Sequence, residues 1–433
     1  MKTAIEQLRQ LVMEGKETFH NREVRTFSLL QELTFIEDRK QADYFLAMHK
    51  YVKELKSMPD ALIGPGRRWM TASHVCQTLG ITNICLGAIS LSPIDFWGNE
   101  DSDTTMDIEV DEDTYDWAYF KAVEVFGYDN VARTPDKDNI MTEDGIFMFR
   151  GYRNRQKGYS VVVCSDGVAA HYKVYEVQGD DGLDMLCIDG DVEPTGNTDI
   201  FMFNVICSDT LTCIKRIQSE IVKAGKECPD MYYRGNANIL YYSDGYHTLF
   251  DDNDTDLPFF GDKLSKEMAQ TLFGKITSME GLLTIAALYH TRQIYEIHAH
   301  NIEDYKKKHG VVQLFDKWRF PYGFLYREEV CWFMTGWIGL TWRESAKMIQ
   351  LMASRKQPDT ENLKHIYLHR GMDNGFKEEE LNHIWDSLFE RPSKKLLPSM
   401  ASYIGSMYQY AFLAMLKKDF PEEYQLTKDK YDG

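Results

Sequence analysis

Three acidic side chains alternate with apolar ones in the stretch TTMDIEVDED, residues 104–113. Asp107, Glu109 and Asp111 are each separated by a single apolar residue. On a β-strand, this alternation places all three carboxylates on one face. Clustered carboxylates repel each other unless a cation lies among them. The stretch therefore predicts either a metal-binding catalytic strand or an acidic strand that faces water.

A two-metal site for phosphoryl transfer usually needs a further carboxylate from a neighbouring strand. The segment FMFNVICSD, residues 201–209, reads as such a strand, but it carries Asn204 at the relevant point, with Asp209 near the start of the next helix. Metal chemistry and a plain acidic edge both remain open on these residues alone.

A second candidate is GPGRR, residues 64–68, a glycine-rich turn followed by a helix. Backbone N–H groups in such a turn can cradle a phosphate at a helix N-terminus. The alternative is an ordinary turn between a strand and a helix. The bulk of Trp69, directly after the turn, disfavours a close approach of phosphate.

The composition limits the function classes. The chain has 433 residues, of which 43% are hydrophobic and 13% aromatic, so we expect two or three folded domains. Its net charge of -18 excludes a general basic coat for nucleic acid but allows a local basic groove. Lys347, Arg355 and Lys356 form either a solvated helix face or such a phosphate-facing patch. Eight scattered cysteines without a CxxC pair, and no apolar run of membrane length, predict a cytoplasmic protein without a membrane partner.

Periodicity predicts an α+β region followed by an α-rich one. Residues 1–58 have helical spacing, and further helices are expected at 71–79, 113–126 and 210–225. Between residues 159 and 204 the pattern is that of β-strands joined by turns. From about residue 262 the chain again has helical spacing and is rich in Trp, Met and Tyr.

The order of these segments resembles the alpha subunit of bacterial DNA polymerase III, a C-family replicative polymerase. IGPGRRWMTASHVCQTLGITNI (63–84) is similar to the family's GPGRGSxxGSLVxYxLGIT, and MDIEVD (106–111) to its metal strand PDIDID. FGYDNVA (126–132) resembles YGxDxVA, and FNVICSDTLTCI (203–214) resembles FDFLGLRTLTII. Weaker likenesses at 153–164, 322–359 and 403–424 follow in the family's order.

This resemblance implies a polymerase-β-like nucleotidyltransferase palm, a mixed sheet with helices, followed by an α-rich fingers-like domain. Residues 1–132 would hold the N-terminal helices and the first part of the palm, and 158–225 the second part. Residues 133–157 would be a linker or a reduced thumb, because they leave no room for the family's domain-sized thumb. Residues 226–433 would form the helical fingers-like domain.

The chemistry implied by the resemblance is two-metal nucleotidyl transfer with Mg²⁺. Asp107 and Glu109 would be catalytic metal ligands, with Asp111 as a further ligand, and Asn204 stands at the third catalytic position. An alignment without a gap instead puts Thr105 and Asp107 at the first two positions. Mg²⁺ would be held weakly in either case, because at least one ligand is altered.

The resemblance also implies nucleotide-binding residues and partners. Gly66, Arg67 and Lys157 would bind the nucleotide. Lys347, Arg355 and Lys356 would contact nucleic acid, and the partners would be DNA and other replication proteins.

The departures from the family fall on catalysis. Asn204 is neutral, and Arg68-Trp69 replaces a Gly-Ser pair after the turn. We therefore expect a polymerase III alpha-like pseudoenzyme that serves replication, for example of a phage or mobile element, as a DNA- or replisome-binding factor. The alternatives are an active DNA-directed DNA polymerase and a protein-interaction scaffold that does not bind DNA.

Overall fold

A computed structural model describes the N-terminal region, the central sheet and the C-terminal helices. It covers residues 2–18, 26–83, 105–135, 137–138, 157–178, 183–190, 192, 199–232, 281, 283–284, 287–288, 324–353, 360–389 and 397–431. The described helices are α1 (Ala4–Thr18), α2 (Thr26–Asp38), α3 (Ala42–Lys56), α4 (His74–Thr78), α5 (Glu112–Phe126), α6 (Asp209–Lys223), α7 (Arg327–Gly336), α8 (Trp342–Ala353), α9 (Thr360–Asp373), α10 (Glu378–Phe389), α11 (Ala401–Asp419) and α12 (Pro421–Tyr431). The strands are β1 (Met106–Val110), β2 (Val131–Arg133), β3 (Lys137–Asp138), β4 (Lys157–Cys164), β5 (Val174–Gln178), β6 (Asp184–Ile188) and β7 (Ile200–Cys207).

The strands form one mixed sheet in the order β1-β7-β4-β2-β6-β5, with β3 paired to β4. β1 and β7 are parallel, as are β2 and β6, whereas the other pairs are antiparallel. Parallel neighbours need a long crossover between them. β1 and β7 are each followed by a helix, α5 and α6, so the two helices begin at the same edge of the sheet.

The N-terminal helices bury apolar side chains in a core that they share with this sheet. Leu8 and Val12 of α1 and Phe45 and Val52 of α3 belong to the same core cluster as Ile108 of β1. This spacing of three to four residues is the signal that predicted helices over residues 1–58, and that prediction is confirmed.

Helix α2 also supplies a buried acid to the segment after the GPGRR turn. The Glu32 carboxylate accepts hydrogen bonds from Ser73 Oγ at 2.7 Å, from the His74 N–H at 2.9 Å and from the Val75 N–H at 3.1 Å. A carboxylate at these N–H groups satisfies the donors that a helix N-terminus leaves free. Burial raises the pKa of Glu32 to about 7, and the three hydrogen bonds oppose the rise.

The C-terminal helices form two further clusters. α7 to α10 enclose one of them, with Phe333, Ile349 and Tyr367 at its centre. α11 packs against α6 in the other, which includes Ile214 and Met407. A shared core between α6 and α11 means that the helices on either side of the predicted 225/226 domain boundary pack together, and the boundary itself stays a prediction.

A buried glutamate of α7 holds the start of α11. Glu328 accepts hydrogen bonds from Ser399 Oγ at 2.6 Å, from the Met400 N–H at 2.8 Å and from the Ala401 N–H at 3.2 Å. The first N–H groups of α11 are thereby satisfied by a side chain from another helix. Glu328 is 1% exposed, so this contact connects α7 to the start of α11 inside the protein.

The α+β class predicted from the sequence is confirmed. The palm, thumb and fingers assignments stay predictions, and most of the segment 133–157 lies outside the described residues. Within the described parts, no helix is long and apolar enough to cross a membrane.

Candidate functional site

The register of the two parallel strands brings the acidic strand and the altered position together. Asp107 of β1 lies directly opposite Asn204 of β7. Met106, Ile108 and Val110 point into the core with the N-terminal helices. Strand alternation therefore turns the acidic side chains to the other face, where they are nevertheless buried.

Asn204 donates a hydrogen bond to the acid that it faces. Its Nδ2 lies 2.8 Å from Asp107 Oδ1, and its Oδ1 accepts from Ser160 Oγ at 2.7 Å. An ionised carboxylate only accepts hydrogen bonds, so the Asn204 amide must turn its NH₂ group toward Asp107. Its oxygen, the atom that would ligate a cation, points to Ser160 on β4.

Glu109 is held in the same way by a residue far along the chain. Gln409 Nε2 of α11 donates to Glu109 Oε2 at 2.8 Å, and Gln409 Oε1 accepts from Ser208 Oγ at 3.1 Å. Ser208 is also the N-cap of α6. Both carboxylates thus face an amide NH₂ that a serine hydroxyl orients from behind.

Two arginines from the GPGRR turn supply positive charge. Arg67 Nη1 lies 2.9 Å from Glu109 Oε1, and Arg67 Nε lies 4.0 Å from Asp107 Oδ2. Arg68 Nη1 lies 3.7 Å from the same Asp107 oxygen. The two carboxylates and two guanidinium groups have no net formal charge. Asp107 Oδ2 has no hydrogen bond, so these guanidinium groups are the cations nearest to it among the described residues.

Arg68 adopts an unusual backbone conformation to make this contact. Its φ is +49°, in the left-handed region. A residue with a Cβ pays roughly 1 kcal/mol there, whereas glycine does not. The family motif has glycine at this place, so arginine adopts the backbone shape expected of glycine and adds a cation.

Burial raises the pKa of Glu109. The Arg67 charge and the Gln409 hydrogen bond oppose that rise, whereas the neighbouring Asp107 charge adds to it. Asp107 and Glu109 are 1% and 4% exposed. Charges this deeply buried need compensating partners, which here are the amide hydrogen bonds, the Arg67–Glu109 contact and the longer arginine contacts to Asp107.

Asp111, the third acidic residue of the strand, has a structural role. Its side chain caps α5 by accepting from the Thr114 N–H at 3.3 Å. It also accepts from the Leu62 N–H at 2.8 Å and from Lys215 Nζ at 2.7 Å. Both carboxylate oxygens are engaged away from the Asp107–Glu109 pair, and a metal-ligand role for Asp111 stays a prediction that this geometry does not favour.

The turn at Gly66 is covered by α11. A Cβ on Gly405 would lie 2.1 Å from the Gly66 carbonyl oxygen, so only glycine fits where the helix crosses the turn. Thr71 Oγ1 donates to the Ala401 carbonyl at 2.8 Å, which fixes the helix over the turn. Trp69 is not the obstacle, because its ring is buried in the core beside Phe45. α11 therefore covers the carbonyl side of the turn at Gly66.

Lys157 lies on β4, three residues before Ser160. An odd separation on a strand places two side chains on opposite faces, so Lys157 faces away from Asp107. Burial and the Glu112 charge raise the pKa of Asp209, and the Lys157 charge opposes that rise. Its assignment to nucleotide binding stays a prediction that the geometry does not favour.

The predicted nucleic-acid-binding residues lie elsewhere. Lys347 is exposed on α8, whereas Arg355 and Lys356 lie outside the described residues. Their role stays a prediction.

These residues do not fit a pair of divalent cations. Two metal ions carry four positive charges and need several anionic oxygens. Here two carboxylates are already balanced by two arginines, and the third position presents an amide NH₂. Across the described parts of the chain, no group of three or more His, Cys, Asp or Glu side chains is placed to hold a metal ion.

Sequence reasoning identified Asp107, Glu109, Arg67 and Asn204 but missed Gln409 and Ser160. A signal for Gln409 exists, since it is the polar residue in the middle of the apolar run MYQYAFLAML and is 3% exposed. Ser160 follows a glycine and a tyrosine in a valine-rich strand, and nothing in that context marks it.

The comparison with known proteins agrees with the placement of these elements. A family model of the bacterial DNA polymerase III alpha NTPase domain matches residues 6–141. The error-prone DNA polymerase 1 of Rhizobium meliloti (strain 1021) is 32% identical over 162 residues, which are 37% of this chain and 13% of that protein. The error-prone DNA polymerase of Sinorhizobium medicae (strain WSM419) matches with the same identity and coverage.

The resemblance to the DNA polymerase III alpha family is thereby confirmed. The likeness covers part of the chain, and the matched segment spans 13% of the length of these relatives. The family match includes the GPGRR turn and β1, the two elements that supply the arginines and the acids.

Proposed function

We propose that this protein acts in DNA replication, in the cytoplasm, as a polymerase III alpha-like factor that binds DNA or replisome proteins and adds nucleotides poorly. The observation that carries the proposal is the hydrogen bond of 2.8 Å from Asn204 Nδ2 to Asp107 Oδ1. The Asn204 amide donates a hydrogen bond at the position where two-metal transfer requires an anionic metal ligand.

The rate consequence follows from the electrostatics of the transition state. Metal ions stabilise charge on the transferred phosphoryl group and activate the attacking oxygen. Losing one of the carboxylates that hold them lowers the rate by on the order of 10³-fold. α11 over Gly66 restricts one side of the turn, where its backbone lies against the Gly66 carbonyl.

Primer extension tests the catalytic part. Purified protein is mixed with labelled primer–template, deoxynucleotides and either Mg²⁺ or Mn²⁺, beside the variant Asp107→Asn. We expect no extension above the level of that variant. Extension by the natural chain that Asp107→Asn abolishes would establish the alternative, an active DNA-directed DNA polymerase.

Fluorescence anisotropy with the same primer–template tests the binding part. We expect the logarithm of the binding constant to fall linearly with the logarithm of salt concentration, because phosphate contacts release counterions. Lys347→Ala should reduce the steepness of that line by about one unit. The matched control Lys53→Ala, at an exposed lysine on α3, should leave it unchanged.

An absence of DNA binding at low salt would contradict the DNA-binding part. The protein would then be a scaffold, and its surfaces for other replication proteins would carry the function. A binding constant that does not change with salt would likewise exclude phosphate contacts as its origin.

A further inference from the structure

The two buried acids of β1 are surrounded by a complete set of internal partners. Asp107 lies beside both arginines of the GPGRR turn and Glu109 beside Arg67, and each carboxylate accepts a hydrogen bond from one amide NH₂ group. Behind each amide stands a serine hydroxyl, Ser160 for Asn204 at 2.7 Å and Ser208 for Gln409 at 3.1 Å. Two such arrangements side by side are a built network rather than a metal site that lacks its ion.

We propose that Arg67 and Arg68 serve as internal cations in place of divalent metal ions, so that the Asp107–Glu109 pair is a metal-independent joint between the sheet and α11. This inference deepens the proposed function and rests on it, since it gives the reason why nucleotide addition is poor.

The charge arrangement supports the first part of this inference. Arg67 reaches both acids, and its side chain is only 11% exposed. A planar guanidinium offers several N–H donors in a fixed fork, which suits two carboxylates on one strand face. A divalent ion held by both acids would have to take the place of this guanidinium.

The backbone of Arg68 supports it independently. Arginine at φ +49° is strained relative to the glycine of the family motif. The contact of 3.7 Å from Arg68 Nη1 to Asp107 Oδ2 gives this residue a role that glycine cannot have. That oxygen is buried and accepts no hydrogen bond, so it depends on the arginine charges.

The link to α11 supports the second part. Gln409 is separated from Glu109 by 300 residues along the chain, yet its amide NH₂ is 2.8 Å from the carboxylate. Glu109 therefore contacts both the GPGRR turn, which precedes the sheet in the chain, and α11, which follows it by many residues. With metal ions absent from the joint, divalent ions should not change how firmly the sheet and α11 are held together.

The decisive experiment is a titration of the full chain with Mn²⁺ in the absence of DNA. Electron paramagnetic resonance measures the concentration of free Mn²⁺ at each step. We expect only weak binding, with dissociation constants above about 1 mM, as for sites with few charged ligands. Asp107→Asn should change this binding no more than Asp43→Asn, the same substitution at an exposed site on α3. The Tm from thermal melting should stay the same when the Mg²⁺ concentration is changed about 10-fold or a chelator is added.

A combined variant tests the same idea from the other side. Arg67→Gln, Arg68→Gly and Asn204→Asp together remove both cations and restore an acid at the third position. We expect at least about tenfold tighter Mn²⁺ binding than in the natural chain, since affinity follows the number of charged ligands. Adding Asp107→Asn to this variant should abolish the gain.

Two outcomes would overturn the inference. One is tight binding of a single Mn²⁺ by the natural chain that Asp107→Asn removes. The other is a combined variant that folds, by circular dichroism, but binds Mn²⁺ no better than the natural chain. If the combined variant does not fold, the natural chain and its two single variants still decide the question. Primer extension remains a separate readout, so Mn²⁺ binding without extension would refute the internal cations and leave the proposed function standing.

Discussion

Helix α11 is held at two buried acids, and the two differ in what donates to them. At the N-terminus of the helix, Glu328 accepts two of its three hydrogen bonds from the backbone, at Met400 and Ala401. Near the middle of the helix, Glu109 accepts only from side chains, those of Arg67 and Gln409. One helix is therefore attached once through its backbone and once through exchangeable side chains.

The difference shows which contacts belong to the fold and which to the particular sequence. Backbone N–H groups at a helix start exist in any sequence that forms the helix, so substitutions elsewhere cannot remove the Met400 and Ala401 donors to Glu328. Every donor at Glu109 depends on one residue type at one position. The donors at the second site can therefore change by substitution without any change in the backbone.

The largest effect should come from the backbone-held acid. Glu328→Ala leaves the Ser399 hydroxyl and two N–H groups buried without an acceptor, at about 1–3 kcal/mol for each unsatisfied group. We expect a loss of roughly 4 kcal/mol in the free energy of unfolding, measured by urea denaturation. Glu328→Gln, which keeps an oxygen acceptor, should lose about half as much. A smaller loss for Glu328→Ala than for Arg67→Ala would reverse the comparison.

The second-largest loss of stability should come from Arg67, which contacts Asp107 and Glu109. Arg67→Ala leaves Asp107 and Glu109 buried beside each other with one less cation, and breaking such a pair costs about 3 kcal/mol. The free energy of unfolding should fall accordingly. Arg67→Lys keeps the charge but not the planar fork, so it should recover only part of the loss. Full recovery by lysine would show that charge alone, without the paired geometry, holds the site.

A pH titration sharpens the comparison, because the Glu32 contact repeats the Glu328 pattern. Burial raises the pKa of Glu32 to about 7, above its ordinary value of 4.5. In the unfolded chain the acid loses its proton near its ordinary pKa, whereas the folded protein keeps it until about pH 7. Stability should therefore fall between these two pH values by roughly 3 kcal/mol and change no further above them.

The matched variant for this titration is Glu32→Gln, which cannot ionise. Its free energy of unfolding should fall less steeply than that of the natural protein from pH 4.5 to pH 7. Parallel pH profiles of the two proteins would show that Glu32 does not titrate in this range.

The smallest effect should be at Gln409, the neutral link between α11 and the sheet. Gln409→Leu removes one hydrogen bond to Glu109 but keeps the volume, so we expect a loss of about 1–2 kcal/mol in the free energy of unfolding. Met407→Leu in the same helix is the matched control, because it is buried and makes no such bond. Equal losses in the two variants would mean that the Gln409 bond contributes nothing beyond packing.

The sequence allowed the elements around the site to be predicted, and the reason is local. Alternation in MDIEV predicts a strand with Asp107 and Glu109 on one face, and helical spacing predicts the helices around it. Asn204 was placed on the partner strand because the order of segments resembles the family. Each of these inferences uses residues that are near each other in the chain or in a known order.

The partners of the acids were not predictable in the same way. The contact between Gln409 and Glu109 joins residues 300 positions apart, and no periodicity reports such a distance. The direction of the Asn204 amide follows from the Asp107 carboxylate, and its oxygen accepts from Ser160 on a third strand. Arg68 was recognised as a departure from the family, but its contact with Asp107 requires a left-handed backbone that arginine rarely adopts.

The contact of Gly405 with the Gly66 carbonyl also sets an order of events during synthesis. The turn and β1 leave the ribosome long before α11, since Gln409 follows Glu109 by 300 residues. At about 5–20 residues per second, the acids of β1 wait roughly 15–60 s for their last partner. Until then Asp107 and Glu109 lie on a half-covered sheet, so the nascent chain passes through a stage at which chaperones can bind it and divalent ions can reach acids that the finished protein encloses.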